Sequence, residues 1–195
     1  FKKENGGQTS ARNLGIKHSR SPYIAYCDHD DVFHPTHLAR LVDFLDTHAE
    51  IDLVYSNARI ITFGKFSHTT DFSHPKKPPA KDLYFVPMPS TMLHRKALIE
   101  RAGPWDEHQI IRLGGEDWDF WLRVKESGGR IAHLPEVLTD YTIHELNMNS
   151  GKIRPMALIR TRIYVFKKRF RERWKRMGLL SAALKSLPDW LRILG

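Results

Sequence analysis

Along residues 1–151, short apolar runs alternate with stretches of helical periodicity, and turn-forming residues separate them. FKKENGGQTSARNLGI reads as a loop entering a helix, because a glycine pair precedes an alanine-containing apolar stretch. YIAYC at 23–27 is short, aromatic and β-branched and starts after Ser21-Pro22, which predicts a strand. In THLARLVDFLDTH, Leu38, Leu41, Val42 and Leu45 fall at i, i+3, i+4 and i+7 behind Pro35, the pattern of a surface helix packed on a sheet. DLVYSN (52–57) predicts a second strand, and the polar stretch HTTDFSHPKKPPAKD (68–82) predicts a mobile loop. FVPMPSTMLH leads into RKALIERAG, a short helix closed by Gly103. EDWDFWLRVKESGG then predicts a helix with Trp118, Trp121 and Leu122 on one face, and RIAHL a last short strand. The alternation predicts an α/β domain over residues 1–151 with ligand sites at the carboxyl ends of its strands. No repeat is visible.

After Ser150-Gly151 the pattern changes to a basic helical extension, residues 152–195. Its Ile159, Ile163, Phe166 and Phe170 recur at helical spacing between arginines. Two compatible readings follow. The helices pack on the domain and leave a cationic face in solvent, or they attach to an anionic membrane surface, which the Arg/Lys flanks with Trp174 and Trp190 favour.

Charge sharpens this division. The net charge of +9 hides 18 Lys/Arg against 20 Asp/Glu in residues 1–151, and 13 against 2 in residues 152–195. Basicity is therefore a tail property. With no recognisable nucleic-acid motif, no nucleic-acid partner is expected. A content of 41% hydrophobic and 11% aromatic residues is that of a globular chain. No apolar run approaches the roughly 18 residues of a membrane span, and the opening residues do not read as a signal peptide. A single cysteine, Cys27, excludes an internal disulfide and fits a reducing compartment; its place in an apolar run predicts a buried thiol. The expected location is the cytoplasm, with peripheral contact at the inner membrane face open to residues 152–195.

Candidate chemistry gathers in two acidic clusters. Asp28, Asp30 and Asp31 stand within four positions at a strand exit. Their repulsion is offset by a hard cation such as Mg2+ or Mn2+, which prefers carboxylate oxygens and shares its remaining positions with substrate phosphates. Capping of the turn before the Pro35 helix by Asp30 or Asp31 accounts for the same residues. In GGEDWDFWLR, Glu116, Asp117 and Asp119 open a helix whose dipole tolerates their charge, and the two glycines give the backbone room beside a ligand. Capping and an Asp119–Arg123 pair explain that cluster equally. Two separate clusters suit a division of labour in which one carboxylate takes a proton from a hydroxyl and a metal serves the leaving group. His34 and His37 sit around a helix start and read as turn residues. His144 begins a sequence like H-E-x-x-H, but position 148 is Met, so a zinc-protease reading fails.

Taken in order, these segments resemble the inverting glycosyltransferases of family 2. ENGGQTSARNLGI is similar to that family's N-x-G…A-R-N-x-G segment, and YIAYCDHDD to its hydrophobic strand followed by D-x-D-D, with His29 where a small residue is usual. PSTMLHRKALIERAGPWDE resembles the pattern ending in G-x-F-D-E, with Trp105 in place of Phe. GGEDWDFWLR is similar to E-D-x-D-x-x-x-R, and YTIHELNMNS to a late Y-x-x-H-x-x-N-x-S segment. The resemblance covers about residues 4–150.

What the resemblance implies is a GT-A nucleotide-diphospho-sugar transferase fold, an α/β fold that is partial here because the usual first strand, helix and strand precede Phe1. It implies a metal-dependent enzyme that moves a sugar with inversion from a nucleotide-diphosphate donor, UDP-linked, to a hydroxyl of a glycan or glycolipid acceptor in surface polysaccharide or glycolipid synthesis. Asp117 would be the catalytic base, with Glu116 beside it. Arg12, Asp28 and Asp31 would face the nucleotide diphosphate, and Asp30, Asp28 and His144 would hold Mn2+ or Mg2+. Trp118 and Asp119 would meet the acceptor. The same acids leave open a metal-dependent phosphoester hydrolase, and the short front end a non-catalytic fragment.

Overall fold

The computed structural model describes residues 1–63, 68–72, 87–144 and 155–176. Helix α1 (Gln8–His18) leads into the predicted strand, β1 (Tyr23–Ala25), followed by a short β2 (Val32–Phe33) and helix α2 (His37–Thr47). Next come β3 (Leu53–Thr62), β4 (His68–Phe72), β5 (Met92–Arg95), α3 (Ala97–Ala102), α4 (Glu116–Glu126), β6 (Ile131–Ile143) and α5 (Pro155–Arg176). The sheet runs β1-β5-β3-β6-β2, with β4 also on β3. Only β3 and β6 pair in parallel among the described strands. Segments 73–82 and 145–150, and Trp190 with the rest of the tail beyond 176, lie outside the described residues.

Side chains alternate across a strand, and along β3 that alternation sets two layers. Leu53 and Tyr55 join a core with Ile16 of α1, Leu98 of α3 and Phe120, Trp121 and Val124 of α4. Val54 faces the other way, onto Leu41 and Leu45 of α2, with Leu93 and Leu138. The larger core holds a polar chain that is fully paired: Trp105 Nε1 donates to the Tyr26 hydroxyl at 3.0 Å, which meets His94 Nε2 at 2.8 Å. Burial lowers the His94 pKa to about 4, so its imidazole is neutral there. Trp105 also stacks on Phe120 with centroids 4.4 Å apart, which fixes the segment before α4 against that helix.

Several sequence expectations change. Residues 68–72, read as loop, form β4 and pair with Ala58–Thr62; edge pairing on the long β3 overrides their polar composition. Cys27 is exposed, because β1 ends at Ala25 and the chain turns out toward Asp28. Leu38 is 49% exposed while Leu41 and Leu45 are fully buried, so the α2 contact is narrower than its periodicity implied. In α4 the core face is Phe120, Trp121 and Val124, whereas Trp118 and Leu122 line a groove against α5.

Helix α5 packs on the domain through its polar side. Thr161 donates to the Ile110 carbonyl at 3.2 Å, Lys168 reaches Asp106 at 2.6 Å, and Arg169 Nε reaches Glu126 at 2.8 Å. The fit requires Gly115, whose φ is +93° and where an added Cβ would lie 2.8 Å from Thr161 Cγ2. Ile159, Ile163, Phe166 and Phe170 are consequently turned outward.

The α2 contact gives a direct check by urea unfolding. Leu41→Ala should cost about 2–5 kcal/mol through cavity formation, whereas Leu38→Ala should stay within about 0.5 kcal/mol.

Candidate active site

A cleft of about 400 Å3 opens where the exit of β1, the N-terminus of α4 and the end of β6 meet; among the residues lining it are Arg12, Asp28, Asp30, Glu116, Asp117 and His144. Residues 28 and 117 thus come within one cavity although they are far apart in sequence. A turn closes the β1 exit, with the Asp31 N–H donating to the Asp28 carbonyl at 3.1 Å. The Asp28 N–H in turn donates to Ser90 Oγ at 3.1 Å, which pins the turn to the segment before β5.

Arg12, on α1, is the bridge between the two acidic clusters. Its guanidinium lies 2.8 Å from Asp28 Oδ1 and 3.5 Å from Glu116 Oε1, over the Trp105 ring at 4.7 Å from the centroid. Gln8, one helical turn earlier, donates to the same Glu116 oxygen. Sequence reading missed Gln8; its i, i+4 spacing from Arg12 was the available signal, since that spacing places both on one face of α1.

Burial raises the pKa of Glu116 first of all, the Asp117 charge adds to it, and Arg12 opposes. Asp117 is raised as well, mainly by burial, against the Trp118 N–H that donates to its Oδ1 at 2.7 Å and against the Arg12 charge. Both carboxyls therefore hold a proton at higher pH than exposed carboxylates do. A carboxyl raised in this way is a better proton acceptor than an exposed one.

Asp30 Oδ2 and His144 Nε2 stand 3.3 Å apart on the far wall. That separation is close to the roughly 3 Å between adjacent donors around one small divalent cation. Among the described residues there is no group of three or more His, Cys, Asp or Glu able to hold a metal. Asp30 and His144 could supply two donors at most, and a cation held there would need its other ligands from substrate oxygens and water.

Three predicted site residues stand elsewhere. Asp31 is buried, and its Oδ1 accepts the Thr142 N–H at 3.0 Å; it ties the turn to β6 instead of lining the cleft. Burial raises its pKa, while Ser90 and Thr142 oppose that shift. Asp119 is fully buried, 2.8 Å from Arg123 Nε and 3.3 Å from Lys168, so it cannot meet an acceptor. Trp118 lines the α4–α5 groove. Tyr141 joins the cleft wall, a residue quoted in the sequence motif but given no role there. His34 bonds to Asp140 at 2.7 Å, and the buried His37 to the Leu138 carbonyl at 3.0 Å, in keeping with the turn reading.

The chain is similar to known proteins. The uncharacterized glycosyltransferase YwdF of Bacillus subtilis is 26% identical over 162 residues, 76% of this chain and 55% of that protein. The amylovoran biosynthesis glycosyltransferase AmsE of Erwinia amylovora is 27% identical over 143 residues, 69% of this chain and 50% of that protein. The chain thus spans about half the length of these curated relatives. The crystal structure of S. aureus TarS 1-349 in complex with UDP-GlcNAc superposes with a TM-score of 0.58 at 19% identity, over 77% of this chain and 43% of that one. That likeness shows the GT-A fold. The family model described as glycosyl transferase family 2 matches residues 1–101 of the 195. With just over half of its length so matched, this chain belongs to glycosyl transferase family 2.

Proposed function

We propose that the protein transfers a sugar, with inversion, from a nucleotide-diphosphate donor to an acceptor hydroxyl. One observation carries this reading: Arg12, Asp28, Asp30, Glu116, Asp117 and His144 line a single cleft, with a proton-retaining acid pair on one wall and a carboxylate–imidazole pair on the other. The donor is UDP-linked, a choice supported by the UDP-GlcNAc and UDP complexes of TarS. The acceptor is a glycan or glycolipid in surface polysaccharide or glycolipid synthesis, as the amylovoran relative suggests.

In this scheme Asp117 accepts the proton of the acceptor hydroxyl as its oxygen attacks the anomeric carbon from the face opposite the leaving group. The bond to the diphosphate breaks, its electron pair leaves on the phosphate oxygen, and the configuration inverts. Burial keeps Asp117 basic and the Asp28 charge adds to it, while Arg12 opposes both and lends positive charge beside Asp28. Asp30 and His144, with Asp28 in the same cleft, are the residues that would hold Mn2+ or Mg2+. When bound there, such an ion supplies Lewis-acid stabilisation of the charge that develops on the diphosphate.

Asp117→Asn in the full protein should lower transfer by about 10²–10⁴-fold while leaving UDP binding, read by calorimetry, nearly unchanged; full turnover in this variant would remove Asp117 from the scheme. Release of free sugar or phosphate in the absence of any acceptor would instead identify a hydrolase. The pH dependence follows from the raised base: burial lifts Asp117, so kcat/KM should still climb with pH above the range in which an exposed carboxylate titrates. Stability should run the opposite way. Glu116 holds its proton more tightly folded than unfolded, so ionisation disfavours the fold between its ordinary 4.5 and about 7. Thermal melts at about pH 5 and about pH 8 should show that loss in the native protein and a smaller one in Glu116→Gln.

A further inference from the structure

The outward side of α5 has no part in the cleft and presents a distinct surface. Ile159 and Ile163 are 47% and 50% exposed, Phe166 and Phe170 70% and 55%. At about 100° per residue these four fall within roughly a quarter of the helix circumference. Trp174 extends the stripe and stacks on Phe170 with centroids 5.5 Å apart. Exposed Arg160, Lys167 and Arg171 run along one flank and exposed Arg162 along the other. Among the described exposed residues of α5 there is no acid.

The helix is also fixed in place. Its opposite side is tied to the domain through Lys168 with Asp106 and Asp119, Arg169 with Glu126, and Tyr164 with Asp106 at 3.0 Å. The carboxylates of the domain thus face the inward cations, while the outward cations remain on the exposed side. A groove of about 690 Å3 lined by Trp118, Leu122, Ile163, Val165, Phe166 and Phe170 widens the apolar strip beyond the helix itself.

We propose that this face docks on a bilayer surface rich in anionic lipid. An apolar stripe flanked on both sides by cations is the cross-section of a helix lying in the membrane interface, with aromatic side chains among the acyl chains and Arg/Lys at the phosphates. Charge complementarity selects the occupant. A second copy of the chain would press Arg160, Lys167 and Arg171 against their own like charges, whereas anionic headgroups neutralise them. None of the described helices is long and apolar enough to cross a membrane, so the contact is peripheral. This surface does not depend on the sugar-transfer reading.

The test is co-sedimentation of the full protein with vesicles of pure phosphatidylcholine and of phosphatidylcholine mixed with phosphatidylglycerol. The protein should pellet with the mixed vesicles, release as salt rises, and remain largely in solution with the neutral ones. Phe166→Ser with Phe170→Ser should lower the partition coefficient about tenfold or more. Arg160→Gln, Lys167→Gln and Arg171→Gln together should abolish the preference for anionic lipid. All five side chains are exposed, so circular dichroism and melting temperature should not change. Failure to pellet, equal pelleting with both vesicles, or indifference to the Phe substitutions would overturn the proposal. So would a concentration-dependent dimer that those substitutions dissolve, which would assign the face to a second copy.

Discussion

One guanidinium makes the cleft electrostatically tenable. Arg12 reaches from α1 to Asp28 on the β1 exit and to Glu116 at the start of α4, and its side chain is only 8% exposed. Removing it would leave a buried acid cluster without its cation, a situation that costs several kcal/mol in proteins generally. The ring of Trp105 beneath the guanidinium adds a cation–π contact. Trp105 is held in turn by Tyr26 and Phe120, so the hydrophobic core supports the charge network from below. The proton affinity of the acid pair is therefore a product of fold-level packing.

A second tie completes the opposite wall. Parallel pairing of β3 with β6 runs to Ile143, which delivers His144 at the strand end. Asp31 anchors the β1 exit to that same strand through Thr142. Asp30 and His144 thus belong to two segments already fastened together, and their 3.3 Å separation follows from backbone pairing. Preorganisation of this kind spares a site the entropic cost of gathering its side chains.

Helix α5 changes the meaning of the basic tail. Its position is decided by three carboxylates, Asp106, Asp119 and Glu126, and by the missing Cβ at Gly115. Burial pushes the Asp106 carboxyl up, but the Lys168 ammonium and the His108 and Tyr164 hydrogen bonds outweigh it and hold the group below its usual range. The same ion pairs that seat the helix on α4 turn its apolar stripe to the outside, an orientation that periodicity alone could not supply.

The sequence by itself determined the existence of the elements with strong local signals: the helix of THLARLVDFLDTH, the strand in YIAYC, which the fold ends at Ala25, the helix opening at Glu116, and the ordered motifs carrying Arg12, Asp28, Asp30, Asp117 and His144. These follow from periodicity, turn chemistry and residue type, which act over a few positions. Tertiary structure decided which acids face the cleft and which are spent on holding it. Asp31 and Asp119 look like their neighbours in the sequence, yet one is bound to a backbone N–H of β6 and the other to Arg123 and Lys168. It likewise made residues 68–72 a strand, exposed Cys27 and decided which face of α5 turns outward. Each of these outcomes depends on a partner distant along the chain, and a local pattern carries no information about which distant partner will arrive.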